Sequence, residues 1–379
     1  MCYVFLWCKK VNFIFLSLLL SALTPGSWAN DSAVSFLNSG VQYVHNPDIE
    51  MQQEDLTITQ DQITVKYSFF NTNSKDITLN MGFPLPASPN FENNQQRSWN
   101  DAPFWDPIFQ TYDYADIFEG YKSDDSDIQI FGKRTSLPFF DFHCEEDGEG
   151  KYVKWKIVTL DRQGKDLTSL LQRNKIPPSA NYLNGVMNRG GMDCRPALKE
   201  KLSALGLIKK GRVDFQTQLV FYWTTVFSTK KNKKILHHYK PQEGSFIFGI
   251  AKGGTKISPV TSFQQNDKYE KLFIDLFEKE KIQRPLLKQW IEEGCRASSK
   301  SSEHWSHLDI RQIRYILTTG KNWKGPIGRF NLKIPIPSQT EVFVHGIKGL
   351  EKKDGAWQVT IDQFTPTQEL TIFYVTPLK

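Results

Sequence analysis

The chain has 379 residues, with 27 Phe, 10 Trp and 13 Tyr, ample apolar material for a packed core of one or two lobes, which excludes a globally disordered polymer. Aromatic side chains at 13% favour β-sheet cores over helical bundles. The formal charge of +6 is divided into acidic and basic blocks.

The first residues read as an export leader. Lys9 and Lys10 supply a positive region, Val11 to Leu23 an apolar run, and Ser27-Trp28-Ala29 a small-x-small cleavage step before Asn30. The run is too short for a membrane-spanning helix, which needs about 20 residues. The apolar stretch Met1 to Cys8 ahead of the lysines is atypical of a leader and points to a later true start; a retained anchor is the competing reading of the segment. Cleavage after Ala29 removes both lysines, so the charge falls from +6 to +4, and leaves three cysteines: Cys144, Cys194 and Cys295. An exported chain meets an oxidising compartment, where three thiols permit at most one internal bridge, and spacing does not choose the pair. No later segment is apolar enough to span a membrane. The expected location is periplasmic or secreted.

Leu56 to Phe70 alternates with period two, broken by a turn near Gln60-Asp61-Gln62. After a polar turn at Asn71 to Asp76, alternation resumes at Ile77 and leads into Phe83-Pro84-Leu85-Pro86; together these read as a β-hairpin. Residues 87–136 lack a period and read as an irregular insertion. From Glu92 to Glu149 there are 14 acids and 4 bases, a local charge of −10. Residues 137–143 and 151–160 read as strands. Residues 166–207 shift to helical spacing, with Pro196 in the first turn of a second helix and Gly206 as its stop.

Asp214 to Phe227 is a long alternating strand, and after a basic turn Ile235 to Tyr239 is expected to return beside it. Lys199 to Lys256 holds 12 bases and 3 acids, +9, which complements the acidic block. Asp267 to Cys295 carries an apolar stripe at helical spacing, divided at Pro285. Ala297 to Ser302 is a polar linker. Alternating segments around Ile313, Phe330, Val342, Trp357 and Leu370 return the chain to strands. The expected fold is mainly β, with sandwich-like sheets and helical insertions, α+β overall. Its parts are a leader at 1–29, an N-terminal β-rich lobe at 30–265, a helical segment at 266–298, and C-terminal strands at 299–379 packed with the N-terminal lobe as one unit.

Several segments resemble one bacterial family, domain of unknown function 4424. They are Ala29-Asn30-Asp31-Ser32, Asp48-Ile49-Glu50-Met51 with Glu54-Asp55-Leu56, Phe70-Asn71, Asp76-Ile77, Phe83-Pro84-Leu85-Pro86, Tyr222-Trp223 with Phe227, and His238-Tyr239-Lys240-Pro241. The most specific runs from Tyr315 to Gly328 and contains Thr319-Gly320-Lys321-Asn322-Trp323-Lys324-Gly325-Pro326; Phe364-Thr365-Pro366 and Leu370 close the set. The resemblance spans nearly the whole chain after the leader. It implies an exported, largely sandwich-like protein and implies no catalytic residues. It also implies a bridge between a cysteine of the helical region and one near the C-terminal Val-x-Phe strand. Cys295 stands at the first position, but Val344-His345-Gly346 holds no cysteine, and residues 87–136 are longer and more acidic than the family pattern.

Tyr315 to Gly328 is a candidate ligand loop, because glycines permit tight turns that would present Asn322 and Trp323. The favoured competing reading has Trp323 plugging the core. Asp101, Trp105, Asp106 and Asp113 mix carboxylates with an aromatic face, as glycan-cleaving sites do, and the competing reading is a solvated acidic loop. Asp124, Asp125, Ser126 and Asp127 lack the ordered calcium-loop pattern. His304 and His307 would need a helix and a third ligand to share a metal. His237 and His238 point to opposite faces of a strand. Lys230, Lys231, Lys233 and Lys234 resemble a nucleic-acid patch by charge alone, and export makes nucleic acid an unsuitable target. No nucleophile elbow, His-Glu-x-x-His, P-loop or dinucleotide fingerprint occurs. These observations predict no cofactor and no resident metal. They favour a non-catalytic envelope module that meets a protein partner or an anionic or glycan surface; the alternative is an envelope-polysaccharide hydrolase using the acidic insertion.

Overall fold

The computed structural model describes residues 31–37, 40–87, 119–121, 127–130, 133–136, 142–178, 180, 183–184, 196–241, 243–251, 257–259, 267–280, 283–297 and 305–378. The fold is mainly β. Among the described residues three sheets dominate. The eight-stranded sheet runs in the order Glu149–Gly150, His143–Glu146, Asn232–Tyr239, Ile63–Asn71, Ile49–Ile58, Ile327–Pro335, Ala356–Phe364 and Glu351–Lys353. The six-stranded sheet runs Gly40–Val44, Ser32–Leu37, Ile77–Pro84, Gln216–Phe227, Lys154–Leu160 and Glu119–Tyr121. The five-stranded sheet runs Ile257–Pro259, Glu243–Ala251, Trp305–Tyr315, Leu370–Pro377 and Glu341–His345.

Period two explains how these sheets share one core. Ile63, Val65, Tyr67 and Phe69 all point inward from one strand, while Lys66 between them faces water. They join Trp223 and Phe227 of the six-stranded sheet and Ile313, Tyr315, Ile372 and Tyr374 of the five-stranded one in a single apolar cluster. The intervening residues Leu308, Ile310, Phe373 and Val375 face the other way, onto a second cluster with Phe273 and Phe277 of α1 (Asp267–Glu280) and Leu287 and Trp290 of α2 (Pro285–Ala297). The five-stranded sheet is therefore buried on both faces, and the stripe of these two helices is what covers it. Pro285 is the first residue of α2, where its missing N–H costs nothing.

Two connections differ from the sequence expectation. The hairpin closes through Thr59 to Gln62, but the strand after Asn71–Asp76 leaves it and pairs with Gln216–Phe227. Likewise Asn232–Tyr239 does not return beside Gln216–Phe227; it crosses to pair with Ile63–Asn71 and His143–Glu146. Asn71 holds both corners: its side-chain amide donates to the carbonyls of Lys75 at 2.9 Å and Phe227 at 2.8 Å. The insertion at 87–136 is not wholly irregular, because Glu119–Tyr121 extends the six-stranded sheet and Asp127–Ile130 pairs with Lys133–Ser136. The 166–207 region contains the short helices Thr168–Arg173 and Pro196–Ala204, and Gly206 takes a positive φ of 68° just past the second.

The C-terminal strands complete the N-terminal sheet. Ile327–Pro335 lies parallel to Ile49–Ile58. This approach needs a glycine: a Cβ at Gly328 would lie 2.6 Å from the Gln52 carbonyl oxygen. Gly328→Ala should therefore force the two strands apart and cost about 1–3 kcal/mol, read as a lower urea midpoint with an unchanged slope. A wild-type midpoint would show that the strands do not approach this closely.

Candidate functional site

The parity that turns apolar residues inward also turns several polar ones inward. On the eight-stranded sheet these are Glu54, Cys144, Glu146, His237 and Tyr239, and all are buried. Each occupies an inward position of its strand, so it cannot reach water without flipping the whole strand. Burial of such groups is tolerated only when they are bonded.

The central pair is Asp31 and His237. Both are 0% exposed, and the His237 Nε2 lies 2.9 Å from the Asp31 Oδ1. The imidazole sits in an aromatic cage, with ring centroids of Phe142, Phe83, Trp223 and Tyr67 at 5.0, 5.1, 5.2 and 5.8 Å. Burial pushes the Asp31 carboxyl above its usual range, against the lowering pull of His237. Cys144 stands opposite His237 in the ladder, so the structure gathers the residue types of a Cys–His–Asp nucleophilic triad. The chemistry does not follow. Burial pushes the Cys144 thiol far up, which removes the thiolate, and the His237 Nδ1 that would accept its proton makes no hydrogen bond among the described residues. Cys144 is a free thiol.

A second set of buried groups joins the eight-stranded and five-stranded sheets. The Tyr67 and Tyr315 hydroxyls meet at 3.1 Å, Tyr315 donates to the Glu54 Oε1 at 3.3 Å, and Tyr374 donates to the Ile58 carbonyl at 3.2 Å. Burial raises all three phenols at Tyr67, Tyr239 and Tyr315 well above their ordinary range, so they stay neutral donors. A third tie is Glu146, which accepts from the Trp223 Nε1 at 2.7 Å and from the Lys151 ammonium at 2.9 Å, with Lys233 at 3.6 Å. Burial alone would raise the Glu146 carboxyl; the bonds from Lys151 and Trp223 and the charge of Lys233 outweigh it and hold the group below its ordinary value of 4.5. A carboxyl lowered in the native state contributes stability that is complete above 4.5 and is lost as pH falls through the native value. Glu146→Gln should flatten the acid limb of stability against pH, measured by urea midpoints from about pH 6 to about pH 3. An acid limb as steep as the wild type would assign the loss to another carboxyl.

The Tyr315 to Gly328 segment is built around the start of the strand Ser32–Leu37. Thr318–Asn322 forms a short 3-10 turn. Trp323 follows it into the core, 1% exposed, with its ring 4.8 Å from Phe69 and 6.3 Å from Phe227. Its Nε1 donates to the Asp31 carbonyl at 2.9 Å, and the Asn322 amide donates to the Ser32 hydroxyl at 3.0 Å. The Asn322 carbonyl accepts from the Asn46 N–H at 2.8 Å, and the Lys324 N–H donates to the Ile49 carbonyl at 2.8 Å. Trp323 and Asn322 thus touch the chain's own first described residues, with the indole packed against Phe69 at a tilt of 57°.

The other residues singled out in the sequence lie elsewhere. Asp101, Trp105, Asp106 and Asp113 fall outside the described residues, as do His304 and Cys194. His307 lies on the strand Trp305–Tyr315, so the helical spacing required for a shared metal is absent there. Of the four lysines at 230–234, Lys230 donates to the Thr72 carbonyl, and Lys233 pairs with Glu146 and with Asp147 at 3.3 Å. His238 faces outward and stacks on His143 with ring centroids 4.5 Å apart. Among the described residues no group of three or more His, Cys, Asp or Glu side chains is arranged to hold a metal ion. No described helix is long and apolar enough to cross a membrane.

Sequence reasoning missed Asp31, His237, Glu54, Glu146 and the tyrosines as one cluster. A signal existed for His237, which alternates with Ile235 and Tyr239 and so had to face inward. Asp31, next to the expected cleavage point, carries no local sign of burial.

A family model described as domain of unknown function (DUF4424) matches residues 29–104 and 121–373. Among curated proteins none matches. A solved protein of Legionella pneumophila subsp. pneumophila str. Philadelphia 1, whose given name proposes nutrient binding, aligns over 92% of this chain and 70% of its own, at 13% identity and a TM-score of 0.36. The M1 zinc metallopeptidase of Deinococcus radiodurans aligns over 87% of this chain and 43% of its own, at 6% identity and a TM-score of 0.24. Likenesses this low carry no argument about activity.

Proposed function

This chain belongs to the family described as domain of unknown function (DUF4424), and on that footing we propose that it is an exported, non-catalytic envelope protein, a sandwich-like β module that meets a protein partner or an anionic or glycan surface. One observation carries the reading: among the described residues, the side chains best suited to acid–base or nucleophilic work, Asp31, Glu54, Cys144 and His237, are buried in the core, with Asp31 bonded to His237 and Glu54 to Tyr315. A reacting group has to touch its substrate, and these touch only the core. Export is supported by the leader-like start at Lys9 to Ala29.

Fractionation of the full-length protein, with N-terminal sequencing and a screen against cell-wall and glycan substrates, tests the proposal. The mature protein should be found outside the cytoplasm, begin at Asn30, and turn over none of them. Hydrolysis abolished by replacing Asp101, Asp106 and Asp113 with Asn would replace it with the hydrolase reading. Retention in the cytoplasm with Met1 intact would remove the export element.

A further inference from the structure

We infer that a basic corner of the molecule, made by the turn at 161–165, the helices Thr168–Arg173 and Pro196–Ala204, and the hairpin at 208–213, docks on an anionic phospholipid surface. The inference rests on the export reading above and deepens it by naming one surface and the face that meets it.

The elements of this corner are tied to one another. Arg162 of the turn pairs with Asp214 at the foot of the hairpin, the Leu207 N–H donates to the Leu202 carbonyl, and Lys201 of the second helix donates to the Asn174 carbonyl at the end of the first. The described residues 161–178 and 196–214 carry nine Lys and Arg against four Asp and Glu, a local charge of +5. The sequence between them adds Arg189 and Arg195 against Asp193, which keeps the sign.

Three of the four acids are engaged in local bonds. Asp161 accepts from the Gln163 and Lys165 N–H groups at 2.9 and 2.8 Å, Asp166 accepts from the Thr168 N–H at 2.7 Å, and Asp214 accepts from Arg162. The bases face outward. Lys165, Lys175, Lys199 and Lys210 are exposed, and among the described residues none of them has a carboxylate within ion-pair distance. Lys210 and Gly211 take positive φ values of 50° and 76°, the form that a two-residue hairpin turn requires, and this sets Lys209 and Lys210 at the tip of the hairpin.

A partner has to read such a corner by charge. Protein interfaces centre on aromatic or large aliphatic anchors, and glycan sites on aromatic faces. The exposed large apolar residues among the described ones are Val44, Tyr152, Val226 and Leu378, none of which belongs to these elements. Six of the nine cations are lysines, point charges on flexible stems, which suit a field of mobile headgroups better than one fixed anion. An exported chain is released at the face of a phospholipid bilayer, and anionic headgroups supply the complementary charge.

The test uses the processed protein recovered by the fractionation above. It is mixed with vesicles of phosphatidylglycerol and phosphatidylcholine in equal parts, or of phosphatidylcholine alone, and binding is read by co-sedimentation. The wild type should bind the anionic vesicles at low salt, ignore the zwitterionic ones, and be released near 1 M salt, where the screening length is about 3 Å. Lys165→Gln, Lys199→Gln and Lys209→Gln together should weaken binding roughly 100-fold, because each cation near an anionic bilayer contributes on the order of fivefold. Removing the same charge at Lys66, Lys333 and Lys353, exposed on the eight-stranded sheet, should change binding by no more than about threefold. Both triple variants should keep the wild-type urea midpoint.

Equal weakening by the two triple variants would show net charge alone at work and overturn the role of the corner. A processed wild type that binds no anionic vesicles, or binds them as well near 1 M salt, overturns the inference and leaves the export reading standing. Capture by dextran sulfate without capture by the vesicles assigns the corner to a soluble polyanion and overturns the lipid surface. Recovery of the protein from the cytoplasm with Met1 intact removes the export reading, and this inference with it.

Discussion

His237→Ala should cost the fold about 3–5 kcal/mol at neutral pH, because it removes the imidazole bonded to the buried Asp31 carboxyl. The loss should depend on pH in a defined sense. Burial already raises the Asp31 carboxyl, and His237 is what lowers it, so removing the imidazole raises it further. A carboxyl raised in the native state favours folding while protonated and disfavours it as pH rises through the native value. The penalty of His237→Ala, relative to the wild type, should therefore be largest near pH 7 and shrink toward about pH 4, as carboxyls take up protons. Paired urea titrations at the two pH values check this; equal penalties would show that the cost is cavity formation alone. His237→Phe combined with Asp31→Ala should recover much of the loss, since the cage of Phe83, Phe142 and Trp223 already suits a phenyl ring and no charge is left behind.

Trp323→Ala should be comparably severe, about 3–5 kcal/mol, because it empties a large buried site against Phe69 and Phe227. It also leaves the Asp31 carbonyl without its donor. Trp323→Phe keeps part of the ring contact and should lose closer to 1 kcal/mol, much of it the hydrogen bond. Amide exchange discriminates a local from a global effect. In Trp323→Phe the strand Ser32–Leu37 should lose protection ahead of Ile63–Asn71, because only the first depends on the indole for its start. Uniform loss of protection would mean that Trp323 supports the core generally and does not fasten the N-terminal strand.

Both predictions give a physical reason for the motifs that mark the family resemblance. Asp31-Ser32 and the Asn322-Trp323 segment lie far apart in sequence and meet in the structure. Asp48-Ile49 and Lys324 meet next to them, through the Lys324 N–H and the Ile49 carbonyl. The glycine at 328 lets the following strand lie against Ile49–Ile58. These segments are the seams where separate sheets are joined.

The alternating patterns at Leu56–Phe70, Asp214–Phe227 and near the C-terminus were legible because period two survives wherever one face is buried. The two helices around Pro285 were legible from their stripe. Sheet membership was not. Nothing local tells Asn232–Tyr239 to leave its neighbour in sequence and pair with Ile63–Asn71, since the corner is fixed by the Asn71 side chain, more than a hundred and fifty residues away. The buried cluster was hidden for the same reason. A charged residue at an inward position reads as a surface residue until its partner is known, and the partner of His237 lies 206 positions away. The reading of Trp323 turned on a similar unknown, because glycines that shape a ligand loop and glycines that seat a buried indole look alike in sequence.

The account holds that buried polar groups here tie sheets together. A double-mutant cycle on Asp31→Ala and His237→Phe, measured by urea unfolding near pH 7, tests that most directly. The pair should couple by about 2 kcal/mol or more, with each single variant far less stable than additivity with the double would require. Single losses that sum to the double within about 0.5 kcal/mol would mean that the two side chains do not depend on each other, and the account would be wrong.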